Sequence, residues 1–156
     1  MSADNSLRTV LDVQEVTTLL YRSLRCADDK LFDQLLDCYN DEVTIDFGGV
    51  KPPQQLSKKD LAAWAQRAYA LVKTQHMMFN VEVDINGDRA TSRSCGHALH
   101  ERTDTKDFWH IHPRYENGYT RTEKGWRISR IRMTPIFEEG NPALLEESWA
   151  AAGDAT

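Results

Sequence analysis

The chain predicts an α+β domain in which helices lead and an antiparallel sheet follows. Apolar residues recur at helical spacing over residues 12–39 and again over 57–72. Four long segments beyond residue 75 read as strands, and Asn86-Gly87 between the first two is the strongest short hairpin signal. Along one of these strands, every second residue is small until a histidine is reached. A long sheet that must cover three helices curls around them. The resulting cone keeps one pocket at its wide end.

Each element has a local reason. Asp12 is placed to cap a helix running to about Cys26, with Val13, Val16, Leu19, Leu20 and Leu24 as its stripe. A second, short helix puts Leu31, Phe32, Leu35, Leu36 and Tyr39 on one face. Val43 to Phe47 alternates as a strand and stops at Gly48-Gly49, and Lys51-Pro52-Pro53 is a loop. Ser57-Lys58-Lys59-Asp60 resembles a capping box before a third helix, where Leu61, Trp64, Ala65, Ala68 and Val72 share a face. The strands are then expected at 76–85, 90–102, 108–121 and 125–134. After Pro135 the chain is expected to leave the sheet as a tail over 135–156, where Asn141 caps and Pro142 opens a helix through Trp149.

Composition narrows the function classes. At 156 residues, 40% hydrophobic and 28% charged, the sequence reads as a single domain over 1–156. Its net charge of −5 and lack of a basic run argue against a nucleic-acid partner. No apolar stretch is long enough to span a membrane. The N-terminus lacks the charged and apolar regions of a signal peptide. Cys26, Cys38 and Cys95 are odd in number, widely spaced and outside any CxxC, so a cytoplasmic protein with reduced thiols is expected. No nucleotide, flavin or metal motif is present, and no cofactor is expected.

Side chains alternate across a strand, so parity sorts the faces. Ala90, Ser92, Ser94, Gly96, Ala98 and His100 form one face, and its small residues suit a pocket wall. On the next strand Trp109, Ile111, Pro113, Tyr115 and Tyr119 form the more apolar face, assigned inward with two phenols as pocket hydroxyls. His97, His110 and His112 fall on the opposite faces, away from His100, so no metal site is expected there. That outer surface, with Leu99 and Phe108, suits a homodimer or homotrimer contact.

Asp28 closes the first helix, His76 ends Thr74-Gln75-His76 at the start of a strand, and His100 follows 24 positions later. A carboxylate that orients an imidazole makes a general base near neutral pH. Taken alone, Asp28 also fits an ordinary helix-end residue and His76 a satisfied strand-end histidine. Their joint placement resembles the scytalone dehydratase branch of the nuclear-transport-factor-2-like (NTF2-like) superfamily, also called SnoaL-like, over about residues 10–134. Asp28 falls at that family's helix-end aspartate. Thr74-Gln75-His76 matches its Thr-Gln-His, whose histidine is the base. His100, in His100-Glu101-Arg102, matches its second active-site histidine, and the closing Gly125-Trp126-Arg127-Ile128 strand is similar too. The hexachlorocyclohexane dehydrochlorinases of the superfamily use a similar Asp–His pair.

The departures matter as much. Where scytalone dehydratase has two tyrosines that hold a water against the substrate carbonyl, this chain has Ala27 and Phe47. Tyr115 falls where the family has an asparagine that contacts the ligand. The resemblance implies a cofactor-free lyase acting on a small cyclic or aromatic substrate. His76 would abstract a proton next to a carbonyl, Asp28 would orient it, and His100 would serve as hydrogen-bond donor or acid while water leaves. Phe47, Trp64, Phe79, Tyr115 and Tyr119 would bind the substrate. An isomerase uses the same base. A non-catalytic binding or partner subunit is the other class, and it does not require Asp28 to reach His76 inside a cavity.

Overall fold

The computed structural model describes residues 3–48 and 52–153, with side chains from residue 6 onward. Gly49 and Lys51, expected to end a strand and begin a loop, lie outside these residues. Helix α1 runs Ala3–Asp28, beginning well before the expected start. Its stripe faces inward, with Val16, Leu19 and Leu20 almost fully buried. Asp12 is therefore no cap. It sits inside α1 and accepts hydrogen bonds from Arg121 (2.6 Å) and Trp126 (3.2 Å). The Arg121 guanidinium holds the Asp12 carboxyl below the usual carboxylate range, although burial pushes the other way.

Helix α2 is only Phe32–Leu36, because Tyr39 already belongs to strand β1 (Tyr39–Asp46). Strand β2 (Gln54–Ser57) pairs antiparallel with β1. Its Gln-Gln-Leu-Ser sequence is too short and polar for an alternating pattern to show. Ser57 ends β2 and caps α3 (Lys58–Ala68), its Oγ accepting from the Asp60 N–H at 3.1 Å and donating to the Asp60 carboxylate at 2.7 Å. Val72, expected on α3, opens β3 (Val72–Asn86).

Strands β4 (Arg89–Arg102), β5 (Phe108–Thr122) and β6 (Gly125–Gly140) complete a curved, open sheet of six strands in the order β2-β1-β6-β5-β4-β3. The sheet is not wholly antiparallel: β1 runs parallel to β6. Nor does the chain leave the sheet at Pro135, since β6 stays paired with β5 as far as Gly140. Pro113 and Pro135 face each other there with no N–H to donate, and the register shifts beside them, leaving Ile136 as an extra residue. A second shift leaves Ser129 extra. Both bulges fall in β6, so the alternation along β5 is uninterrupted and the inward assignment of Trp109, Ile111, Pro113, Tyr115 and Tyr119 holds. On β4 the expected small-residue face is buried at every position from Ala90 to His100.

Helix α4 (Leu144–Gly153) follows a turn in which the Asn141 side chain accepts from the Ala143 N–H at 2.9 Å. It lies against α3. The Arg67 guanidinium sits 3.6 Å over the Trp149 ring and donates to the Trp149 carbonyl at 2.9 Å. No helix among the described residues is long and apolar enough to cross a membrane.

Candidate active site

Helix α1 ends where β3 begins to run along the sheet, and this junction places Asp28 against Thr74 and His76. The Asp28 carboxylate accepts three hydrogen bonds: from His76 Nδ1 at 2.6 Å, from the His76 backbone N–H at 2.8 Å and from the Thr74 hydroxyl at 2.8 Å. A carboxylate oxygen only accepts, so Nδ1 carries the proton. His76 Nε2 then holds a free lone pair. Burial would raise the Asp28 carboxyl, but the hydrogen bonds and charge of His76 outweigh it and hold the group below its ordinary value. The expected approach of Asp28 to His76 is therefore present, and the three donors explain why Thr74 and His76 stand two residues apart: both lie on the inward side of β3.

His100 sits on the adjacent strand, 3% exposed, with its ring 5.5 Å from that of His76 and nearly perpendicular to it. Its Nδ1 lies 3.0 Å from the Trp109 carbonyl oxygen, and its ring stacks on the Trp109 indole at 4.9 Å. The carbonyl can only accept, so Nδ1–H is the donor and Nε2 offers a lone pair. Burial, reinforced by His76, pushes the His100 pKa down to about 4. His100 is thus neutral at physiological pH. In this neutral form Nε2 presents an acceptor.

His76 and His100 both line a cavity of about 190 Å³ between the sheet and the helices. Ala27, Phe47, Trp64 and Tyr115 line it as well. Two expected residues do not. Phe79 is three positions from His76, an odd number, and is 51% exposed; it lines, with Met77 and Met78, a separate open cleft between α1 and β3 that Asp28 and His76 also border. Tyr119 lies deeper than the cavity, in a core of Val16, Leu19, Cys38 and Trp126, with its hydroxyl 2.8 Å from Ser92. Asp46 is also absent from the wall, paired at its back with Arg130 (3.4 Å) and Arg132 (3.5 Å).

Sequence reasoning missed Tyr69, which closes α3 and lines the cavity with ring centroids 6.4 Å from His76 and 6.3 Å from His100. It also missed Tyr39. Tyr69 lies in no strand, and the helical pattern assigned Tyr39 to α2, whereas it opens β1 with the parity of Ile45 and Phe47. On the outer face, His97 stacks on His112 at 4.1 Å. Among the described residues, no three His, Cys, Asp or Glu side chains are arranged to hold a metal ion.

Gly96 determines where Tyr115 rests. A Cβ at this position would stand 2.5 Å from Tyr115 Cε2 and 3.4 Å from Pro113 Cγ. Gly96→Ala should therefore push the Tyr115 ring from the cavity wall and destabilise the fold by about 1–3 kcal/mol, the usual range for overpacking. Denaturant unfolding of the variant checks this, and a stability equal to wild type would show that the ring is not held there.

The curved sheet with leading helices has the fold of NTF2-like proteins. Residues 8–132 match the SnoaL-like domain family, and the chain belongs to it. A solved Kribbella flavida protein superposes with a TM-score of 0.81 at 30% identity, covering 88% of this chain and 99% of its own. A Novosphingobium aromaticivorans protein, provisionally named a scytalone dehydratase, gives 0.76 at 11% identity over 85% of this chain and 89% of its own. A Streptomyces avermitilis protein of the NTF2-like family, provisionally named a dehydratase, gives 0.70 at 16% identity over 83% and 99%. Likeness at these last two identities concerns the fold. No curated protein matches the chain.

Proposed function

We propose that this protein is a lyase of the dehydratase type, using the Asp28–His76 pair as a general base. The observation that supports it most is the 2.6 Å contact between Asp28 and Nδ1 of His76, whose ring lines the cavity. His76 Nε2 takes a proton from the carbon next to a carbonyl, and the C–H electron pair moves into the enolate. When the carbonyl re-forms, a C=C bond forms and the C–O bond to a hydroxyl on the neighbouring carbon breaks. The imidazolium gives its proton to the departing hydroxyl, which leaves as water, and the base returns to its neutral form. Asp28 stabilises the imidazolium while it exists. His100 Nε2 accepts a hydrogen bond from a substrate hydroxyl and orients it.

The cavity walls favour a small ring, since Phe47 and Trp64 supply flat aromatic surface and Ile111 and Met133 aliphatic surface. Cytoplasmic placement belongs to the same reading and is supported by three free cysteines. The test is a screen of hydroxylated cyclic and aromatic ketones, following the ultraviolet absorbance of the conjugated product. Turnover that survives loss of His76 would sink the base assignment.

The partner in this reading is a second copy of the chain. The outer face presents Phe108 at 37% exposed, Phe137 at 71% and Ile136 at 42%, close to His97, Leu99 and His112. Sedimentation at micromolar concentration should give a dimer or trimer, and Phe137→Glu should shift it toward monomer. A monomeric wild type would refute the contact.

A further inference from the structure

The Ala27 and Phe47 positions leave the cavity without phenols where the resembling dehydratases have them, yet the cavity is not without phenols. Besides Tyr39 at the start of β1, Tyr69 reaches it from the end of α3, beside both imidazole rings, and Tyr115 from β5. The last two come from elements far apart in sequence, and each is packed into place: Tyr69 edge-on to Trp64 at 6.1 Å, Tyr115 over Gly96. Tyr69 is only 9% exposed. A phenol hydroxyl cut off from open space ordinarily finds a protein partner, because leaving it bare costs free energy. Tyr119, outside the cavity, follows that rule through Ser92. Among the described residues the hydroxyls of Tyr69 and Tyr115 make no hydrogen bond to the protein, and neither is sealed off from the cavity that both residues line. Their unused donors open into the same space as the lone pairs of His76 and His100.

We propose that Tyr69 and Tyr115 together form the oxyanion-binding half of the site, donating two hydrogen bonds to the oxygen of a carbonyl as it becomes an enolate. The inference rests on the lyase reading and assigns its substrate class: a compound whose carbonyl oxygen points toward α3 and β5 while its acidic carbon faces His76. The division of labour is chemical. The two imidazoles present acceptors, and the two phenols present donors. Burial raises both phenols, Tyr115 to about 12, so each keeps its proton at physiological pH and can donate it in a hydrogen bond. Donors fixed in a water-poor cavity stabilise developing negative charge without reorganising. A carbonyl oxygen gains most from them after it has taken on charge, so the pair acts on the transition state more than on the bound ketone.

The experiment uses para-nitrophenol as a probe, because its phenolate resembles an enolate oxygen and absorbs visibly. The full-length protein, and its Tyr69→Phe, Tyr115→Phe and Tyr119→Phe variants, are saturated with the probe and titrated with base. Loss of either cavity phenol should make the bound probe a weaker acid by roughly tenfold or more, the usual worth of a hydrogen bond to a charged group. Tyr119→Phe should leave the bound probe's titration as in wild type. Identical titration in wild type, Tyr69→Phe and Tyr115→Phe would overturn the proposal, as would the absence of saturable binding. The readout involves no proton removal from carbon. A failed titration therefore leaves the role of His76 standing, and an inessential His76 leaves a positive titration standing.

Discussion

His76→Ala should abolish nearly all turnover while the fold survives. The side chain is partly buried and contributes one charged hydrogen bond, but the backbone N–H of residue 76 still reaches Asp28, so the junction of α1 with β3 persists. What disappears is the lone pair that the Asp28 carboxylate aligns. General-base loss costs on the order of 10²–10⁴ in rate. His100 cannot substitute, because its Nδ1 is committed to the Trp109 carbonyl and no carboxylate stands behind it to stabilise an imidazolium. The measurement is kcat/KM on the compound found by the screen, with circular dichroism to establish folding. A variant that keeps more than about a tenth of wild-type kcat/KM, against that expected loss, would make the cavity a binding site and not a base-catalysed one.

Asp28→Asn should be nearly as severe for a different reason. The carboxylate accepts three bonds at once. An amide has one accepting oxygen, and its NH₂ would face donors. The imidazole then moves its proton to Nε2 so that Nδ1 can accept, and the base is lost with its ring still in place. The rate should fall on the order of 10²–10⁴. Stability should move too. Asp28 is held below its ordinary 3.8, so its contribution is present above that value and is lost as pH falls through the lowered one. Replacing it should leave the protein less stable at neutral pH by about 1–3 kcal/mol, as for a charged hydrogen-bond partner removed from a part-buried site. The acid limb of its stability profile should flatten. Chemical denaturation across acidic to neutral pH reads both effects, and an unchanged acid limb would mean that the pair contributes nothing to folding.

Much of the site was legible because short-range rules place it. A helix-end aspartate and a strand-start histidine are local features, and period-two alternation put His100, Ser94 and Tyr115 on the buried side before any fold was known. The same rule, applied from His76, would have removed Phe79 from the wall. Tyr119 had the right parity and the wrong depth: alternation gives a face, and position along the strand decides whether that face meets cavity or core.

By itself the sequence determined most of the helices and strands and the inward sides of β4 and β5, since hydrophobic period, capping and turn chemistry act within a few residues. Only the tertiary structure decided the rest. Asp12 reads as a helix cap until Arg121 and Trp126, more than a hundred residues away, turn it into a buried ion-pair partner inside α1. The parallel pairing of β1 with β6 and the extension of β6 to Gly140 depend on partners distant in sequence. The tautomers of His76 and His100 follow from acceptors on other elements. Tyr69 meets Tyr115 and the two histidines only because α3 packs across the mouth of a curved sheet. Local patterns say which way a side chain faces; what it faces depends on contacts that no local pattern encodes.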